Sequence, residues 1–177
     1  MGGWQPQLEE LTQQRYGRLV ALALMVAPSR SEAEDMVQDA LVAAFSGRAR
    51  FGSVDEAEAY VRRAVVSRSM DAHRRRGAER RALTRFAARP GPVADDPEVM
   101  DPRVLAALRA LAPRERACVV LRHVEDLSVR ETAALLHLSE GAVKRYVHDA
   151  VVRLDEELGT EPPQEKDVVR MGGRHDA

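Results

Sequence analysis

Five side chains suited to contacting a nucleic acid recur along one segment. They are Tyr60, Arg63, Ser67, Asp71 and Arg74. Successive members are three or four residues apart, so a helix through this segment would place all of them on one face. An aromatic ring can stack on an unpaired base, and guanidinium groups neutralise the phosphates of a single strand. The pattern therefore predicts single-strand binding, although Tyr60 taken alone is equally typical of a core aromatic.

The positive charge of this segment is concentrated locally. Twelve arginines and five acidic residues lie between Arg48 and Arg89, although the whole chain has a net charge of −1. Arg74, Arg75 and Arg76 follow one another, and the few nearby carboxylates cannot pair with all three. We expect phosphate contacts from some of this run, with Arg75 joining Arg74 in the predicted site.

A helix-turn-helix pattern lies in the C-terminal half. Ser128 and Glu131 have the spacing of a capping box, "HLS" provides a turn, and Ser139 can cap a second helix. Val129, Leu136, Leu138, Val143, Val147 and Val151 are expected to share a core. The polar face left outside suits DNA bases and phosphates. The DNA-contacting residues predicted there are Ser139, Ala142, Lys144, Arg145 and His148. An ordinary helical hairpin with a solvated face is the alternative.

A third segment, "SEAEDMVQDALVAAF", separates an apolar stripe from a polar one. The apolar stripe is Met36, Val37, Ala40, Leu41, Ala44 and Phe45, at the spacing of a helix that packs on a core. The opposite stripe is Asp35, Gln38, Asp39 and Val42. We interpret this second stripe as a docking surface for a basic protein partner, with a plain solvated face as the alternative.

Catalytic and metal-binding patterns are not recognisable in the sequence. His123, His137 and His148 do not have a metal-ligand spacing, and no nucleophile–base–orienter arrangement or glycine-rich phosphate loop occurs. The single cysteine, Cys118, lies in the apolar run "ACVVL" and is expected to be a buried hydrophobic residue. We therefore expect no enzyme activity, no metal and no cofactor.

The elements that must position these residues are all helical. Helices are predicted over 8–26, 31–45 and 56–76, the last with a possible extension to 88, and over 102–111, 113–125, 128–136 and 140–158. No strands are expected. The Pro-rich segment from Pro90 to Asp101 indicates a flexible linker between two small helical domains, 8–89 and 102–158, and 159–177 is expected to be a mobile tail. No apolar run could span a membrane and no signal peptide is recognisable, so a cytoplasmic protein is expected.

The ordered blocks resemble one family. "SEAEDMVQDALVAAF" is similar to the core-binding region of bacterial extracytoplasmic-function (ECF, group IV) sigma factors. "AYVRRAVVSRSMDAHRRR" resembles their −10-reading helix, especially in the SigE-like variant of actinobacteria. "LAPRERACVVLRHVEDLSVRETAALLHLSEGAVKRYVHDAVVRL" resembles region 4, which reads the −35 element. The resemblance covers about residues 8–158 and includes the linker.

The resemblance implies a promoter-specificity subunit of RNA polymerase. Residues 8–89 would be sigma region 2, which grips the clamp helices of the largest polymerase subunit and holds the melted −10 element. Residues 102–158 would be region 4, which binds the −35 element and packs near the polymerase flap. Asp35, Gln38 and Asp39 fall on the family's contact positions for core polymerase. An anti-sigma factor is a further partner of the kind that such proteins have.

The sequence departs from the family at several positions. Ser67 replaces a frequent Asn, His137 replaces a frequent Gly in the turn, and Asp149 replaces a common basic residue. Arg145 and Asp149 are spaced i,i+4, so an ion pair between them is expected to weaken attraction to phosphate. Two alternatives stay open: a stand-alone helix-turn-helix regulator, in which the acidic stripe is plain surface, and a sigma-like module that titrates a partner, which Ser67 and Asp149 suggest.

Overall fold

The computed structural model describes residues 5–46, 50–82 and 100–159. The predicted linker lies outside the described residues except for its last two positions, and so does the predicted tail beyond Gly159. The described residues are helical with no strand, which confirms the all-α prediction.

The N-terminal half is built from consecutive helices. The expected first helix is helical throughout but contains a π-helical turn, Leu11–Arg15. The long fourth helix begins at Val54 and extends beyond the predicted Arg76. The helices are α1 Gln5–Glu10, α2 Tyr16–Val26, α3 Arg30–Ser46 and α4 Val54–Ala82.

The start of α3 differs from the sequence prediction. The sequence predicts that this helix begins at residue 31 with Ser31 as its cap, but Ser29 caps it instead, because its Oγ accepts the Glu32 N–H at 3.2 Å and its carbonyl accepts the Ala33 N–H at 2.9 Å. Ser31 lies inside the first turn. Both serines have side chains that can cap a helix. The chain is extended at Ala27, so the next helix begins a few residues later and Ser29 takes the capping position.

The C-terminal half contains four short helices at the predicted places. A left-handed residue, His137, separates the last two. They are α5 Pro102–Ala110, α6 Pro113–His123, α7 Val129–Leu136 and α8 Glu140–Leu158. Glu115 anchors α6 to α8, because its nearly buried carboxylate accepts from Arg153 Nη1 at 2.9 Å.

One hydrophobic core runs through both halves. The entire predicted apolar stripe of α3 is buried. Val61 and Val65 of α4 and Leu121 of α6 are fully buried in the same cluster. Helix α2 packs on α5 and α6, and α4 packs on α6 and α7. The two halves therefore form a closed arrangement in which each covers apolar surface of the other.

No helix in the described ranges is long and apolar enough to cross a membrane.

Candidate polymerase and promoter interfaces

The polar stripe of α3, which we call the acidic strip, consists of Asp35, Gln38, Asp39 and Val42. All four residues are exposed, and Val42 has 65% of its surface accessible. Burial of the opposite apolar stripe fixes this orientation. Within the described residues, Asp35 and Asp39 form no ion pair with other parts of the chain. Their charges are therefore available to a partner.

An apolar groove borders the acidic strip. It has a volume of about 500 Å³ and is lined by Leu8, Thr12, Gln38, Leu41, Val42, Phe45 and Ser46. Leu8 and Thr12 come from the first helical segment, and the sequence did not predict them as part of this surface. Each residue looks like an ordinary helical position, and only the tertiary structure brings them to Gln38 and Val42.

Tyr60 is neither a core aromatic nor a fully free one. Its ring lies against Phe51, with centroids 5.4 Å apart, and Phe51 in turn meets Phe45 at 5.6 Å. The side chain remains 43% exposed. One side of the ring is thus held by a partner while part of it stays accessible, as a stacking platform for a base requires.

The remaining predicted residues of α4 follow Tyr60 along the helix. Arg63 and Arg75 are exposed, and Ser67 is half-buried. Arg74 donates to Asp71, so two residues of the predicted set are engaged with each other. Both side chains are about half exposed, and such a surface pair contributes only about 0–1 kcal/mol, so phosphate can compete for the arginine.

An ion pair joins the basic run of α4 to α3. Arg76 donates to Glu32 in the first turn of α3. Glu32 lies one turn away from the acidic strip, and the strip itself forms no such contact among the described residues. Among the residues that the structure describes, the basic run and the acidic strip therefore form no ion pair with each other.

The helix-turn-helix has the caps that its sequence predicts. Ser128 Oγ accepts the Glu131 N–H at 3.1 Å, and the Glu131 carboxylate accepts the Ser128 N–H at 2.8 Å. These bonds with Ser128 are the main reason that the pKa of Glu131 is lowered. Ser139 Oγ accepts the Ala142 N–H at 3.1 Å. The start of α8, and with it the direction of its polar face, is fixed by this cap.

The turn before α8 contains an unfavourable residue. His137 has φ 54° and ψ 48°, a left-handed conformation, and its N–H donates to the Ala133 carbonyl. Non-glycine residues adopt this conformation at a cost of about 1–2 kcal/mol. His137 therefore adopts, at a cost in strain, the left-handed backbone conformation that the glycine frequent at this position of the family adopts freely.

Replacing His137 by glycine is expected to stabilise the protein by about 0.5–1 kcal/mol, because glycine relieves the left-handed strain but gains flexibility in the unfolded chain. Urea unfolding followed by circular dichroism measures the change. His148→Gly is the matched control: His148 is exposed in the middle of α8, where glycine should destabilise by about 1 kcal/mol. A loss of stability in His137→Gly would contradict the strain.

The polar face of α8 carries Lys144, Arg145 and His148, all exposed, while Ala142 and Asp149 are half-buried. The predicted Arg145–Asp149 ion pair is absent among the described residues. Arg145 instead lies over the ring of Tyr146, 5.3 Å from its centroid. A ring face at this distance attracts a cation in competition with a carboxylate one turn away.

Tyr146 connects α8 to the start of α6. Its pKa is lowered mainly by a hydrogen bond from Arg114, with a further contribution from Arg145. The sequence prediction did not include either Arg114 or Tyr146. The core of this half also differs in one place: Val151 is exposed, and Ala150 is buried instead.

Cys118 is fully buried, and burial raises the pKa of its thiol to about 11. It is thus an inert core residue, as the sequence indicates. Among the described residues, no group of three or more His, Cys, Asp or Glu side chains could hold a metal ion.

Comparisons with known proteins agree with this arrangement. Residues 11–79 match the family model described as sigma-70 region 2, and residues 102–154 match that of sigma-70 region 4. The RNA polymerase sigma-E factor of Streptomyces coelicolor is 32% identical over 155 residues, 86% of each chain. The ECF RNA polymerase sigma factor SigM of Mycobacterium tuberculosis is 29% identical over 85% of this chain and 76% of its own.

A solved structure shares the fold. The sigma factor RpoE of Bartonella quintana, crystallised with the anti-sigma factor NepR, superposes with a TM-score of 0.64 at 23% identity, covering 87% of this chain and 99% of its own. Both matched regions occur here in the same order, and the identity to the Streptomyces protein extends across them. The chain therefore belongs to the extracytoplasmic-function RNA polymerase sigma factors of the actinobacterial type.

Proposed function

We propose that this chain directs core RNA polymerase to promoters by using the acidic strip for the enzyme, the α4 face for the −10 element and the α8 face for the −35 element. The observation that carries this division is the separation of charge in the N-terminal half. Asp35 and Asp39 form no ion pair among the described residues, Gln38 and Val42 of the same strip line an apolar groove, and the basic run of α4 meets α3 through Glu32, outside the strip. Such a protein can contact a basic protein and a polyanion simultaneously.

The polymerase contact combines two physical effects. Leu41 and Phe45 supply an apolar floor beside the exposed Val42, and an apolar side chain of the partner would lose water on entering this groove. Asp35 and Asp39 add attraction for cations at the rim, which raises the association rate and fixes the register. A helix that combines apolar and basic residues, as expected of the polymerase clamp, fits both.

The −10 contact depends on one strand being unpaired. The accessible part of the Tyr60 ring can stack on an extruded base, and Arg63 with Arg74 and Arg75 can neutralise the flanking phosphates. Extruding a base costs a few kcal/mol, so stacking and phosphate contacts must together offset that cost. On this proposal α4 helps to hold the promoter melted.

The −35 contact belongs to α8. The Ser139 cap fixes where this helix begins and therefore which of its side chains are exposed. The exposed Lys144, Arg145 and His148 can donate hydrogen bonds to bases in a major groove. Tyr146 holds the Arg145 guanidinium from one side. Asp149 offers a carboxylate near the same face, and a carboxylate accepts from the amino group of cytosine rather than binding guanine.

On this proposal the chain is a non-catalytic subunit that acts in the cytoplasm, where polymerase and promoter meet, and needs no cofactor. An anti-sigma factor is a chemically suitable inhibitor, since the groove beside Val42 gives such a protein an apolar surface to cover. This partner class is the one to which NepR belongs, the protein crystallised with the Bartonella sigma factor.

Run-off transcription tests the function. Purified chain and actinobacterial core polymerase are mixed with genomic fragments, and transcript starts are mapped with and without the chain. We expect discrete start sites that require the chain and share two upstream motifs. Failure to bind core enzyme, with duplex binding retained, would identify a stand-alone regulator instead.

A further inference from the structure

Two exposed arginines from different helices meet at one tyrosine of α8. Arg145 Cζ lies 5.3 Å from the centroid of the Tyr146 ring, on the helix that is proposed to bind the −35 element. Arg114, in the first turn of α6, donates a hydrogen bond to the Tyr146 hydroxyl. Tyr146 thus holds Arg145 through the face of its ring and Arg114 through its oxygen.

The packing of α6 on α8 brings Arg114 to this place. Glu115 follows Arg114, and its nearly buried carboxylate accepts from Arg153 Nη1 at 2.9 Å. Arg153 lies seven residues after Tyr146, so the two side chains leave α8 on the same side. The start of α6 is also fixed, because Glu115 accepts the Ala112 N–H at 3.1 Å. Two neighbouring residues of α6 therefore meet two residues on one side of α8.

The two guanidinium groups have no carboxylate to neutralise them. Among the described residues, neither Arg114 nor Arg145 forms an ion pair, and Asp149, one turn after Arg145, forms none either. Both arginines are exposed, so water weakens the repulsion between them. Two cations that one tyrosine holds without a counter-charge form a place for an anion. On the surface that carries Lys144 and Arg145, the anion expected is a phosphate of DNA.

Helix stability does not account for Arg114. A cation in the first turn of a helix faces the positive end of the helix dipole, where acidic residues are favoured. Glu115 in the same turn satisfies this preference, whereas Arg114 opposes it. The exposed Arg114 side chain also covers no core residue that would explain it. Its position therefore indicates a contact outside the chain.

We propose that Arg114 is a further contact of this chain with the −35 element, where it binds a backbone phosphate, and that Tyr146 is the positioning residue that holds Arg114 beside Arg145. This inference rests on the proposed function of α8. Arg145 reads a base edge in the major groove, while Arg114 fixes the register through the backbone, which carries no sequence information. The Tyr146 hydroxyl restrains the Arg114 side chain before DNA binds, so less conformational freedom is lost on binding.

The contact between Arg114 and Tyr146 is tested in the full chain without DNA or polymerase. Tyrosine labelled with ¹³C at Cζ reports the ionisation of each of the three tyrosines by NMR, and Tyr146→Phe identifies the signal of Tyr146. Arg114 stabilises the phenolate, so Arg114→Ala should raise the pKa of Tyr146 towards its ordinary value. An unchanged titration of Tyr146 in Arg114→Ala overturns the positioning role.

Arg103→Ala is the matched control for this measurement. Arg103 is also exposed and also follows a proline at the start of a helix, α5, but it reaches the Leu158 carbonyl at the other end of α8. The variant removes the same charge from an equivalent helical position. It should leave the titration of Tyr146 unchanged.

Salt dependence of DNA binding tests the phosphate contact. The complex of the full chain with core polymerase is titrated with labelled duplex that contains the −35 element, at several salt concentrations, by fluorescence anisotropy. Loss of one phosphate contact lowers the slope of log affinity against log salt by about 1 and weakens all −35 sequences alike. Arg114→Ala should show both effects, with about tenfold lower affinity. Arg145→Ala should in addition lose discrimination between −35 sequences, and Arg103→Ala should match the unchanged chain.

Tyr146→Phe separates positioning from packing. It keeps the ring beneath Arg145 and removes the oxygen that accepts from Arg114. The variant should lower affinity and salt slope in the direction of Arg114→Ala, and it should have no further effect in an Arg114→Ala background. Additive losses in the double variant, at equal helix content by circular dichroism, overturn the positioning role.

Failure of this inference differs from failure of the proposed function. If the Arg114→Ala complex has the slope and affinity of the unchanged complex, the phosphate contact is overturned and the proposed function stands. If the chain never binds core polymerase, but its free form binds duplex with a slope that Arg114→Ala lowers by about 1, the proposed function is removed and the contact stands.

Discussion

Replacing Asp35 and Asp39 together by lysine is expected to abolish binding of the chain to core RNA polymerase and to leave its fold intact. Both carboxylates are exposed and, within the described residues, have no ion pair to lose, so stability should change by no more than about 0.5 kcal/mol each. At the proposed polymerase interface, two attractive contacts would become repulsive, at a cost of several kcal/mol. The expected result is a loss of at least about a hundredfold in affinity.

Titration of labelled chain with core enzyme measures this effect by fluorescence anisotropy. Glu156→Lys with Glu157→Lys is the matched control, because it makes the same charge change at exposed positions near the end of α8. Wild-type affinity in the Asp35/Asp39 variant would reject the acidic strip as the contact. Retained binding of duplex DNA without polymerase, together with that result, would favour the stand-alone regulator.

Replacing Tyr60 by alanine is expected to reduce run-off transcription from duplex promoters by about 10- to 100-fold, while core binding stays unchanged. Loss of a base–aromatic stack accounts for about 1–3 kcal/mol, and the loss is realised only when the −10 strand is held open. The half-exposed ring contributes less to the fold than a core residue would, since one side already faces solvent.

Tyr60→Phe is the matched control, because it keeps the ring and its contact with Phe51 but removes the hydroxyl. It should transcribe at close to the wild-type rate. A template whose −10 region is premelted by mismatched bases should rescue part of the defect of Tyr60→Ala, because the two DNA strands are then already separated there. Equal activity of Tyr60→Ala and the unchanged chain on duplex templates would remove stacking from the mechanism.

Local patterns determined the orientation of the helices. Every apolar member of the α3 stripe is buried and every member of the acidic strip is exposed, since 3.6-residue periodicity decides which side of a helix faces the core. The caps at Ser128 and Ser139 were equally predictable from the sequence, because a cap depends on residues three positions apart. The start of α3 was not, as Ser29 and Ser31 are alike in chemistry and only the backbone path chooses between them.

The sequence by itself therefore determined the helical class, the family and the polar faces of α3 and α8, all of which depend on neighbours within a few residues. Tertiary structure alone decided the groove that Leu8 and Thr12 share with α3 and the pairing of Arg62 with Glu125. Glu125 is 63 residues from Arg62, and nothing in the local sequence around either residue specifies the other. Such contacts form only after the apolar faces of α2, α4, α5 and α6 have packed together, because packing sets which charged side chains come within reach.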